Sequence, residues 1–166
     1  LAVQYTPTAA EIAAGSLTFT LTSTGTVYCA AVTDHVTSVF TDSPVVNAGA
    51  DLMICANNAA VQLTGNVDNA SGGTWSGGSG AFSPNANVLS PVYTPTASEI
   101  ASGGMNLFLT STGNGNCIAV RDTVHVTFTP APTVNAGSDL SVCYNNPVVS
   151  LNGASTVAGG VQWSGG

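Results

Sequence analysis

The sequence predicts an all-β fold of tandem antiparallel β-sandwiches. Three observations point there. Short runs alternate apolar and polar residues with period two: DLMIC at 51–55, VQLTG at 61–65, MNLFLT at 105–110 and VHVTFT at 124–129. Gly, Asn, Ser and Pro clusters separate them, such as NASGG at 69–73 and STGNGN at 111–116. Regularly spaced short strands with such turns are the signature of a sandwich. The third observation is that YTPTAAEIAAG at 5–15 returns as YTPTASEIASG at 93–103.

A shift of 88 residues aligns the chain with itself without a gap, and roughly half of the 78 overlapping positions are identical. LTSTG at 21–25 meets LTSTG at 109–113, Cys29 meets Cys117, Cys55 meets Cys143, and WSGG at 75–78 meets WSGG at 163–166. Such a match marks a tandem duplication. The Pro-bearing stretches TDSPVVNAG and TPAPTVNAG read as the linkers between repeats. The expected organisation is a C-terminal half repeat at 1–44, a complete repeat at 45–132 and an N-terminal half repeat at 133–166. The chain thus reads as a piece of a longer array. Neither half carries a counterpart of SGAFSPNANV at 79–88; adding those ten residues would make the chain a repeating two-unit element. The end of one copy is therefore expected to be completed by the start of the next.

Within a repeat, Thr96 followed by Glu99 fits a capping box, and Gly103 can end the turn, so one helical turn is expected to cross between the sheets. Trp75 and Trp163 each fall twenty residues after a cysteine, on the third strand. An exposed indole could stack on a sugar, but this placement suits the core of an immunoglobulin-like sandwich, where both are expected.

Composition excludes several function classes. Lysine is absent, Arg121 is the only strongly basic residue, and eight acids give a net charge of −7. A surface with one strong cation cannot hold a run of phosphates, so neither nucleic acid nor an anionic membrane is an expected partner. No apolar run approaches the roughly 20 residues of a membrane span.

The order VNAG-x-DL-x-x-C, V-x-L-x-G, TWSGG, YTPTASEIASG, LTSTG, C and D-T-V-x-V, along the whole chain, resembles the tandem immunoglobulin-like or PKD-like modules of large secreted Bacteroidota surface proteins. The PKD-type WDFGDG signature is absent. The resemblance implies an extracellular, cell-surface location, export by the type IX system, and service as an adhesin, gliding filament or spacer stalk. In a secreted context two cysteines per small module favour disulfides. Cys55 with Cys117 would close a module on itself, contributing about 3–4 kcal/mol by loop entropy, with Cys29 and Cys143 paired outside this chain. A bridge between neighbouring modules is the alternative, because Cys55 and Cys117 should lie at opposite poles. Asp122-Thr123-Val124 resembles the Bacteroidota O-glycosylation sequon, which places a glycan on Thr123; Asn69-Ala70-Ser71 fits N-x-S/T.

Catalytic chemistry finds no footing. His35 aligns with Thr123 and His125 with Thr37, so no base recurs between copies. Glu11 and Glu99 recur, and capping accounts for them. Asp51 and Asp139 recur just after NAG near the junction, and Asp34 and Asp122 recur also. Calcium at the junction is conceivable, yet no D-x-D-x-D run is present, so turn or strand-entry hydrogen bonding is the expected role. No other cofactor is expected. The expected role is a non-enzymatic structural repeat in a surface filament or adhesin shaft, partnered by further copies of itself. The alternatives are a module binding surface glycans, or host or substrate surfaces, through the loops at 69–80 and 111–116, and a spacer in a large secreted protein.

Overall fold

In the computed structural model, which describes residues 2–25 and 27–165, the chain opens on a five-residue helix, α1 (Ala9–Ala13). Leu1, Thr26 and Gly166, which the expected segments 1–44 and 133–166 include, lie outside the described residues. Thr8 caps α1 by accepting the Glu11 N–H, while the Glu11 carboxylate accepts the Thr8 N–H. That reciprocal box satisfies donors a short helix would otherwise leave open. β1 (Ser16–Thr22) and β2 (Thr33–Val39) follow as an antiparallel hairpin.

The central residues supply β3 (Val45–Asn47), β4 (Leu52–Cys55), β5 (Val61–Gln62), β6 (Asn66–Asp68), β7 (Gly72–Ser76), β8 (Ala81–Ser83) and β9 (Val92–Thr94). They continue through α2 (Ala97–Ala101) into β10 (Gly104–Thr112) and β11 (Arg121–Thr129). One sheet has the order β4-β11-β10-β7. The remaining strands form the pair β3-β6 and the triplet β5-β9-β8. Bonds from Leu63 N–H to Pro91 O (3.0 Å) and from Gly65 N–H to Leu89 O (2.9 Å) carry pairing across the gap between β5 and β6. Residues 61–68 therefore act as one interrupted strand. A side chain at Gly65 would collide with Leu109 and press on Trp75, so the backbone there lies against the core.

Pairing departs from the all-antiparallel expectation at one place. β4 runs parallel to β11, from Leu52↔Val126 to Cys55↔Thr129. Between β3 and β4, Gly49 takes a left-handed conformation (φ +90°) that most side chains resist. The chain there leaves its antiparallel partner β6 and reaches the last strand from the same direction. As the spacing predicts, α2 is the connection from the triplet to the four-stranded sheet.

Alternation puts Leu107 and Leu109 of β10 and Val124, Val126 and Phe128 of β11 on one face, beside Trp75 of β7. Val61, Leu63, Tyr93 and Ala48 complete the same cluster from the other strands. Each such aliphatic side chain contributes about 1.5–3 kcal/mol by leaving water. The buried Trp75 indole is satisfied, since Nε1–H donates to Leu89 O at 3.1 Å.

β12 (Thr133–Asn135) and β13 (Ala154–Thr156) close the chain as a short antiparallel pair. Their register, Thr133↔Thr156, is that of β3-β6, Val45↔Asp68, displaced by 88 residues. The β1-β2 register, Ser16↔Val39, likewise matches Gly104↔Thr127 of β10-β11 at the same displacement.

Candidate functional site

The densest polar constellation is built around Glu99 on α2. Its Oε1 accepts the Ser79 N–H (2.7 Å) and the Tyr93 hydroxyl (2.8 Å), and its Oε2 accepts the Thr96 N–H (2.7 Å) and hydroxyl (2.9 Å). Burial works to raise this carboxyl, but the donors from Thr96, Ser79 and Tyr93 outweigh it and hold it below the usual glutamate range. Tyr93 is pushed up, chiefly by burial and further by the Glu99 carboxylate, against the opposing Gly80 N–H. A carboxylate that stays ionised with its acceptor sites filled is a poor general acid and a good tie between a strand, a helix and a loop. Spacing revealed the helix cap; the reach to Tyr93 and Ser79 was missed. The recurrence of Tyr six residues before Glu in both copies was the available signal, since Tyr5 donates to Glu11 at 2.7 Å in the same way.

Gly78 flanks this tie with φ +66°, and a methyl group there would meet the Tyr93 hydroxyl and Glu99 Oε1. Gly78→Ala is expected to cost about 2–4 kcal/mol, from backbone strain and overpacking together. Urea unfolding checks this.

The other recurring acids serve the backbone. Asp122 Oδ2 accepts the Ala48 N–H (2.8 Å), and this bond with one from Thr123 holds the carboxyl below its ordinary value. Asp51 Oδ1 accepts the His125 N–H (2.8 Å). The histidines are cross-strand partners: His35 Nδ1 lies 2.8 Å from Thr20 Oγ1, and His125 Nδ1 lies 2.7 Å from Asn106 Oδ1. Among the described residues no three His, Cys, Asp or Glu side chains gather as a metal site would need.

The cysteines correct one expectation. All four are free, and Cys55 and Cys117 do not bond. Cys55 pairs with Thr129 at the end of β11, whereas Cys117 precedes Arg121 at its start. The nine residues of β11 between those levels span about 26 Å, while a disulfide needs Cα atoms within about 7 Å. Cys117 instead meets the linker before β3: its Sγ lies 3.6 Å from Thr41 Oγ1 and 3.7 Å from Asp42 O. At that pole Asn69 Nδ2 donates to Ser43 O (3.1 Å), and Ser71 N–H to Gly113 O (3.4 Å). Both candidate ligand-binding loops, 69–80 and 111–116, thus touch the linker or each other. Asn69 and Thr123, the glycan candidates, are exposed.

Among the described residues, each outer segment carries an open cleft. A cleft of about 760 Å³ is lined by Val3, Tyr5, Phe19, Leu21, Val36 and Phe40. Another of about 390 Å³ is lined by Val134, Gly153, Ala154, Val161 and Trp163. Trp163 is 49% exposed, against 2% for Trp75, so it occupies no core within this chain, contrary to expectation. Leu21 is 66% exposed where Leu109 is 0%, and Tyr5 is 52% exposed where Tyr93 is 0%. Searches against protein-family models and curated proteins find no match.

Proposed function

We propose that the chain is a non-enzymatic structural segment of an extracellular array, a run of immunoglobulin-like sandwiches forming the shaft of a surface filament or adhesin. The observation that carries this reading is the contrast between equivalent positions. Most side chains of the central core recur at the two ends, and Tyr5, Leu21, Val36, Val149, Leu151 and Trp163 there face solvent. Support for the sandwich comes from one core shared by the four-stranded sheet and the opposing strands, and from a first strand split between them. The equal registers 88 residues apart support the repeat, with units at 1–44, 45–132 and 133–166.

The central unit indicates what would cover each outer face. In sequence, residues 2–41 align with those that form α2, β10 and β11, and residues 133–165 with those that form β3 to β7. Joined, they make a unit lacking only the counterpart of 79–88, which holds β8 and the loop after it. β8 lies at the edge of its sheet, so the joined unit loses no central strand. Further copies of the repeat are therefore the partner, and buried apolar area is the driving force. The scarcity of charge suits a shaft whose solubility rests on Ser, Thr, Asn and Gly.

At micromolar concentration the 166-residue chain is expected to assemble end to end into fibres or a ladder of multiples of 16.4 kDa. Sedimentation velocity and electron microscopy check this. A folded 16.4 kDa monomer at every concentration would sink the reading.

A further inference from the structure

The position of Cys117 carries a consequence for how successive repeats are joined. Its sulfur rests on Thr41 and Asp42, residues belonging to the preceding repeat in the proposed array. Thr41 is the counterpart of Thr129, 88 residues on. Thr129 is held against β4 by three features: register with Cys55, the Ala56 N–H on its carbonyl at 2.9 Å, and its own hydroxyl on Ile54 O at 3.4 Å. A unit that closes over residues 2–41 as the central unit closes over β10 and β11 lays its own Cys55-type cysteine beside Thr41. Register partners in a sheet have Cα atoms about 5 Å apart, and the Thr41 hydroxyl is 3.6 Å from the Cys117 sulfur. The two sulfurs then share one side chain as neighbour, within the span a disulfide bridges.

We infer that the cysteines bridge successive repeats, Cys117 bonding to the Cys55-type cysteine of the repeat before it. In this chain Cys143 is of the Cys55 type and Cys29 of the Cys117 type. Between two copies joined end to end, Cys143 of the first pairs with Cys117 of the second, and Cys55 of the first with Cys29 of the second. Each bond forms as two thiols lose two protons and two electrons to an external disulfide oxidant. The oxidant leaves as its dithiol, and a new S–S bond remains. The inference rests on the array reading, which supplies the second repeat.

The test is thiol blocking at acidic pH of the oxidised, assembled chain, followed by non-reducing digestion and mass spectrometry. Expected are DLSVC-containing peptides linked to the Cys117 peptide and DLMIC-containing peptides linked to the Cys29 peptide. On a non-reducing gel the chain should run as a ladder that C29S/C117S abolishes, with the assembly in solution unchanged. A Cys55–Cys117 link within one copy, or four blocked free thiols in a sample that still forms fibres, overturns the bridge and leaves the array standing. A sample that stays monomeric overturns both.

Discussion

Trp75→Ala is expected to destabilise the central unit by about 3–5 kcal/mol, the range for removing a large aromatic from a packed core. Trp75 is almost fully enclosed and touches the space held open by Gly65. Its removal leaves a cavity and strands the Leu89 carbonyl that its Nε1–H satisfied. Trp163→Ala makes the same chemical change at the counterpart position, yet in dilute chain it is expected to cost less than about 1 kcal/mol, because half-exposed side chains bury little. The proposed assembly would make the two costs converge, and Trp163→Ala would weaken end-to-end association. Urea unfolding by circular dichroism gives the central value, and sedimentation gives the second. Equal costs in dilute chain would mean that the 133–166 segment already possesses a core of its own.

Glu99→Gln is expected to cost about 2–4 kcal/mol despite conserving shape. Glu99 accepts four donors, two on each oxygen, and a glutamine nitrogen cannot accept. Whichever way the amide turns, one backbone N–H, of Ser79 or of Thr96, would face another donor, while the hydroxyl beside it can turn to accept, and the remaining bonds lose their charge assistance. The same site gives stability a pH dependence. A carboxyl whose folded pKa is lowered stabilises fully above the ordinary glutamate range and loses that contribution as pH falls through the folded value. Asp122 shifts in the same direction and adds to the acid limb. Urea midpoints should therefore drop on acidification below the usual carboxylate range, and Glu99→Gln should shallow that drop. An unchanged slope in the variant would assign the acid sensitivity elsewhere.

Local rules made much of this legible in the sequence. Period-two alternation located β10 and β11, and Thr96 with Glu99 located α2 to within a residue. Trp75 sits in the core because one face of β7 points inward. Pairing direction was harder to read. VNAG-x-DL fixes a strand, but the parallel partnership of β4 depends on Gly49 redirecting the chain, a tertiary event that alternation cannot register. The cysteines illustrate the same limit: two per repeat suggests a bond within it, while their separation along β11 is a property of the folded sheet. Trp163 shows a third kind of miss. Its sequence context is that of a core residue, and what it lacks is neighbours.

The parallel run of β4 against β11 also sets how a unit responds when pulled from its two ends. The chain enters β4 at Leu52, opposite Val126, and leaves β11 beyond Thr129, opposite Cys55. Tension between those points acts along the strands in opposite directions, so the hydrogen bonds joining them are loaded in shear and must yield together. An antiparallel pairing of the same two strands would place entry and exit at one end and let the bonds tear singly, like a seam.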